Sequence, residues 1–144
     1  DLSDCSTQRP LTAEGRTVAV QVGEAMRRAR IPVGEVLASP MCRTKQTAEA
    51  AFGKGYMVDG NLMYTSNLTS REKVPKIATT RRLLSTPVAA GTNRVIVAHA
   101  PNLMDVMGYF PKPEAVVVVF RPMGDKGFEY VASIAPGQWL QLVR

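Results

Sequence analysis

Between Leu11 and Ala29 the apolar positions Val18, Val22, Ala25, Met26 and Ala29 recur three and four residues apart, with Arg16, Glu24, Arg27, Arg28 and Arg30 between them. That period predicts a surface helix burying one stripe. Thr12 suits its N-cap, Glu14 its first turn and Arg27 and Arg28 its last, and Pro32 lies beyond its end. Residues 35–38 form a short apolar run bounded by Gly34 and by Ser39 and Pro40, which predicts a buried strand. Ser39 as N-cap and Pro40 as first residue then predict a second helix ending at Gly53. Residues 54–70 are rich in Gly, Asn, Ser and Thr and read as a long loop, in which Asn67-Leu68-Thr69 is a formal sequon of the kind that arises by chance. Ile77, Leu83 and Leu84 predict a third helix after Pro75. A turn at 89–93 leads into a strand at 94–98 with His99 at its end. Pro101 and Asn102 open a short helix that stops near Gly108, a strand follows at 115–120, and turn residues 124–127 fold 128–134 back on it as a hairpin.

Strands alternating with helices and closing on a hairpin predict an α/β domain of three layers, α/β/α, with a largely parallel central sheet over residues 1–144. A chain of 144 residues, 45% apolar, suits one such domain and excludes a disordered tail. No apolar run approaches the roughly 20 residues of a membrane-spanning helix. Lys and Arg number 18 against 12 Asp and Glu, so the formal charge of +6 favours anionic partners. Nucleic acid is disfavoured, because aromatic residues make up only 6% and no basic run is interleaved with them as stacking requires. Phosphorylated molecules remain. Cys5 and Cys42 lack the spacing to the single histidine that a zinc site needs, so no metal is expected, and one disulfide or two thiols are both open. The chain opens on Asp1 with neither a basic start nor an apolar leader, and a preceding segment is expected; cytoplasm and export are both open.

In open α/β sheets ligands bind beyond the carboxyl ends of the strands. After the strand at 35–38, Arg43 rises in the first turn of a helix whose free amides also attract anions. After the strand at 94–98 stands His99, with Asn102 three residues on. An arginine fork matches phosphate oxygens, and a histidine beside it can attack phosphorus, carry a proton or stabilise charge. The plainer readings are a solvated surface arginine and a structural histidine.

Three blocks make the reading sharper: TQRPLTAEGR at 7–16, SPMCRTKQTA at 39–48 and VAHAPN at 97–102. In this order they resemble blocks of the histidine phosphatase superfamily, with its phosphoglycerate mutase-like fold. The short form looks most like the small phosphohistidine-phosphatase and lipopolysaccharide heptose-phosphate phosphatase-like members. The resemblance implies that Arg43 clamps phosphate, that His99 is the second pocket histidine, that Arg9 is a further pocket arginine and that Asn102 lies beside the substrate. It also implies a nucleophilic histidine in an Arg-His-Gly or Arg-His-Ala motif at the end of a first, central strand. No such motif occurs in the chain, and His99, its one histidine, belongs to the later block. The chain is therefore expected to lack that strand and to be inactive as it stands, while the complete protein would hydrolyse phosphate monoesters or phosphohistidine through a covalent phosphohistidine, without metal or cofactor. The alternative is a non-catalytic phosphate-binding or regulatory protein on a decayed phosphatase scaffold. Glu72 and then Asp59 are the nearest acids for the leaving oxygen. Phosphorylated small molecules or phosphoproteins are the expected partners. The resemblance sets Cys5 and Cys42 around one cleft, where a disulfide could join them. Trp139 reads as a packing anchor.

Overall fold

The computed structural model describes residues 2–142. Five strands, β1 (Val36–Ala38), β2 (Met57–Val58), β3 (Val95–Val97), β4 (Val117–Pro122) and β5 (Phe128–Ile134), alternate in part with five helices, α1 (Ala13–Arg28), α2 (Cys42–Phe52), α3 (Ser70–Ser85), α4 (Ala100–Met107) and α5 (Trp139–Leu142). β1 lies between β2 and β3 in a parallel sheet, and β4 and β5 form a separate antiparallel hairpin. The fold is α/β.

Alternation along the strands sorts the core into two faces. Val36 and Ala38 of β1 pack with Ala48 of α2, and Val95 and Val97 of β3 join them. Val22 and Met26 of α1 meet Trp139 of α5, with Val95, Val117 and Ile134 against them. Leu37 and Ile96, one position out of phase, turn to the opposite face and meet Leu62 and Leu83. α1, α2 and α5 thus cover one side and α3 the other. α1 and α2 touch closely at Gly23, where an added Cβ would lie 2.2 Å from the carbonyl oxygen of Ala51.

Several boundaries differ from the sequence expectation for local reasons. α2 starts at Cys42 with Met41 as its N-cap, because the Ser39 hydroxyl accepts from the Met41 amide at 3.2 Å and is engaged by His99. The expected loop at 54–70 contains β2 and a 3-10 turn at Gly60–Leu62 that Asp59 caps. β2 is exposed and short, so it has no alternation to detect; main-chain bonding to β1 makes it a strand. α3 begins at Ser70, ahead of Pro75, because Thr69 and Glu72 form a reciprocal capping box. Pro75 costs the helix one main-chain bond, to the Arg71 carbonyl, and the box satisfies two other groups. β4 starts at Val117 because Ala115 takes φ 67°, outside the extended region.

Candidate phosphate site at two strand ends

β1 and β3 are parallel neighbours in register Val36 to Val95 through Ala38 to Val97, so the residues that follow them emerge side by side. From β1 come Ser39 and, in the first turn of α2, Arg43; from β3 comes His99, which is the N-cap of α4. An Arg43 terminal nitrogen stands 3.4 Å from His99 Nδ1, and His99 Nε2 is 2.8 Å from Ser39 Oγ. A guanidinium can only donate, so Nδ1 accepts and Nε2 carries the proton that it donates to the fully buried Ser39. The Tyr64 ring closes the cluster, its centroid 5.4 Å both from the Arg43 guanidinium carbon and from the His99 ring. Burial first and the Arg43 charge second push the His99 pKa down from 6.5 to about 4. The imidazole is therefore neutral at physiological pH, and the one net charge of the cluster is that of Arg43. A cation on a partly buried fork, beside an uncharged ring, is a receptor for an anion.

The structure brings the Arg43 and His99 side chains together; the side chains of the other two residues singled out from the sequence bond to neither. Asn102 is buried: its side-chain amide donates to the carbonyls of Leu62 and Met63 at 3.2 and 2.8 Å, and its Oδ1 accepts from Thr65 at 3.3 Å. Thr65 also lies 2.7 Å from Asp105, which pairs with Lys73. Asn102 is thus a rivet between α4 and the segment carrying Tyr64, with no donor free for a substrate. Arg9 is exposed and makes no hydrogen bond or ion pair among the described residues. Its segment is nonetheless fixed to α2, because Gln8 accepts from the Cys42 amide at 2.8 Å, Gln46 accepts from the Leu11 amide at 3.1 Å, and Cys5 and Cys42 form a disulfide. Glu72 and Asp59 each accept a main-chain amide as a helix cap, Glu72 from Thr69 and Asp59 from Asn61. Ser39 and Tyr64 were not anticipated as members of the site. Ser39 read as a helix cap, and Tyr64 sat in an aperiodic stretch that offers no signal.

Among the described residues no group of three or more His, Cys, Asp or Glu is placed to hold a metal ion, and no helix is long and apolar enough to cross a membrane. Residues 5–60 match the sequence model of the histidine phosphatase superfamily (branch 1). That span contains the disulfide, α1, β1 and α2, including Arg43. No curated protein matches the chain significantly. Among solved structures the chain is similar to the protein histidine phosphatase SixA complexed with tungstate, at 17% identity and a TM-score of 0.64, covering 90% of this chain and 85% of that one. Over residues 5–60, which include Arg43, the chain is thus similar in sequence to the histidine phosphatase superfamily, and over nearly its whole length it shares the fold of the solved histidine phosphatase.

Proposed function

We propose that the domain grips a terminal phosphoryl group between Arg43 and His99, and that in its complete form it is a phosphatase working through phosphohistidine. The observation that carries this reading is the meeting of Arg43 and His99 from two parallel strand ends at 3.4 Å, around a single positive charge. The solved neighbour is itself a protein histidine phosphatase seen with tungstate, an oxyanion of phosphate's shape, which supports a phosphorylated protein side chain or a phosphate monoester as substrate.

In the proposed reaction a histidine on a strand this chain does not carry attacks phosphorus. The bond to the leaving oxygen breaks, that oxygen takes a proton from solvent, and Arg43 holds two of the equatorial oxygens throughout. The His99 Nε2–H turns from Ser39 to the phosphoryl oxygen as negative charge gathers there, and water then cleaves the phosphorus–nitrogen bond. His99 is unsuited to be the nucleophile, since its Nδ1 lone pair is taken by Arg43 and its Nε2 is protonated.

Titration calorimetry of the 144-residue chain with tungstate tests the reading. Binding near neutral pH that Arg43→Ala weakens by about tenfold or more supports it, a charge-assisted bond being worth about 1.5–3 kcal/mol. Undiminished binding by that variant overturns the site. The chain itself should bind and not turn over p-nitrophenyl phosphate; measurable turnover that survives repurification would overturn the assignment of the nucleophile to an absent strand. A second reading is a phosphate sensor on the same scaffold, since Arg43 and the neutral His99 can bind an anion without transferring it. It predicts binding without turnover even when an upstream strand is supplied.

A further inference from the structure

The disulfide adjoins the candidate phosphate site. Cys42 is the first residue of α2 and Arg43 the second, and Cys42 is bridged to Cys5. Met41, the N-cap of α2, makes no side-chain cap bond. The cap is supplied instead by Gln8, whose Oε1 accepts from the Cys42 amide at 2.8 Å. The turn that carries Arg43 is therefore capped by a residue that the bridge holds in place.

Packing does not hold it there. No residue from 4 to 7 is more than superficially covered, Gln8 is half-buried and Arg9 is exposed, and the 3-10 turn at Cys5–Thr7 contributes nothing to the core. The side-chain hydrogen bonds of Asp4, Ser6 and Thr7 close within the segment itself. Firm attachment resumes at Leu11, whose amide donates to Gln46 of α2. The two sulfurs also differ in access, since Cys5 is exposed and Cys42 is 1% exposed. A thiolate can thus approach the bridge from the Cys5 side, and the group it displaces is Cys42. The N-terminus of a helix and a neighbouring arginine both stabilise a thiolate, which makes Cys42 the better leaving group.

We propose that the Cys5–Cys42 bridge is a redox latch that sets how firmly Arg43 grips its anion. Closed, it keeps Gln8 on the first turn of α2. Opened, it lets residues 4–9 swing out from a hinge ahead of Leu11, and the uncapped turn frays beneath Arg43. The reductant is a dithiol. One of its thiolates attacks Cys5 Sγ, the sulfur–sulfur bond breaks, and Cys42 leaves as a thiolate that takes a proton. The second thiolate of the reductant then displaces the Cys5 sulfur, which is protonated in turn. Two electrons and two protons pass to the protein, and the dithiol ends as a disulfide.

The latch rests on the reading of Arg43 as an anion receptor, and calorimetry with tungstate separates the two. It compares the oxidised 144-residue chain with the same chain reduced by dithiothreitol and freed of it by anaerobic gel filtration. Reduction should weaken binding about threefold to tenfold, the factor that loss of a helix cap is worth. Hydrogen exchange read by NMR should show the Cys42 amide losing protection while the amides of Val22 and Met26 in α1 keep theirs. Oxidised Gln8→Ala should reproduce part of the weakening with the bridge intact. Binding that is equal in the two redox states, or tighter in the reduced one, would overturn the latch and leave the phosphate site standing. An unchanged affinity in Gln8→Ala would overturn it as well, by removing the cap from the coupling. Binding in neither state would overturn the phosphate site and the latch together. Loss of protection at Val22 and Met26 on reduction would overturn the latch alone, by making the bridge a staple of the whole fold.

Discussion

Because the chain has one histidine, the electrostatics of the site can be read from a single resonance. In the unfolded chain His99 should titrate near 6.5, and in the native state burial and Arg43 hold it near 4. Between these values the unfolded state binds the proton and the native state does not, so stability is complete above about pH 6.5 and is lost as pH falls toward 4. A depression of this size corresponds to about 3 kcal/mol at 1.36 kcal/mol per pH unit, and partial solvent access to the ring lowers the expectation to about 2 kcal/mol at pH 4.5. Urea unfolding at pH 7 and pH 4.5 would measure it, comparing the wild type with His99→Asn. Carboxylates titrate in both proteins, so the difference between their losses isolates the imidazole. Tungstate provides a second arm: a dianion seated beside the ring favours the imidazolium, so the NMR titration midpoint should move up by about one pH unit or more. A native midpoint at or above 6.5 without anion would refute the reasoning, since the ring would then be neither buried nor facing Arg43. A His99→Asn protein that loses as much stability as the wild type would refute it as well.

Gly23→Ala should destabilise the protein by about 1–3 kcal/mol in thermal or urea melts, because overpacking against the Ala51 carbonyl outweighs the roughly 1 kcal/mol that alanine normally gains over glycine in a helix. Thiol titration should find no free thiol before reduction and two after it, and Cys5→Ser/Cys42→Ser should cost about 3–4 kcal/mol, given the sequence separation of 37 between the bridged residues. Thr65→Val should cost about 1–3 kcal/mol in the same melts, by removing the hydroxyl that Asn102 and Asp105 share and leaving the buried Asn102 Oδ1 without a donor. A neutral result would show that the rivet under α4 carries no load.

Periodicity and capping chemistry made α1 legible to within a residue or two, because Thr12, Glu14, Arg27 and Arg28 all agree with its apolar stripe. The pairing of Arg43 with His99 was legible as well, since both follow strands that a parallel sheet places side by side. What escaped depended on partners distant in sequence. β2 is a strand only because β1 offers it a ladder, and the Asn102 side chain is tied down by carbonyls at 62 and 63 that lie about forty residues before it. The start of α3 was in principle readable from the Thr69–Glu72 box, but Pro75 gave a louder and misleading cue. The disulfide needed the resemblance to bring its two segments together, as no local pattern links Cys5 to Cys42.

Trp139, the one tryptophan of the chain, is 3% exposed and rests on Val22 and Met26 with Val95 and Val117 beside it. Its cluster therefore joins the parallel sheet, through Val95, to the hairpin, through Val117. Indole emission follows the polarity and rigidity of its surroundings, so the protein carries an unlabelled optical gauge at the seam between its two sheets. Any event that shifts β3 against β4, or lets water between them, should register as a change in the colour or lifetime of that fluorescence, without an added label.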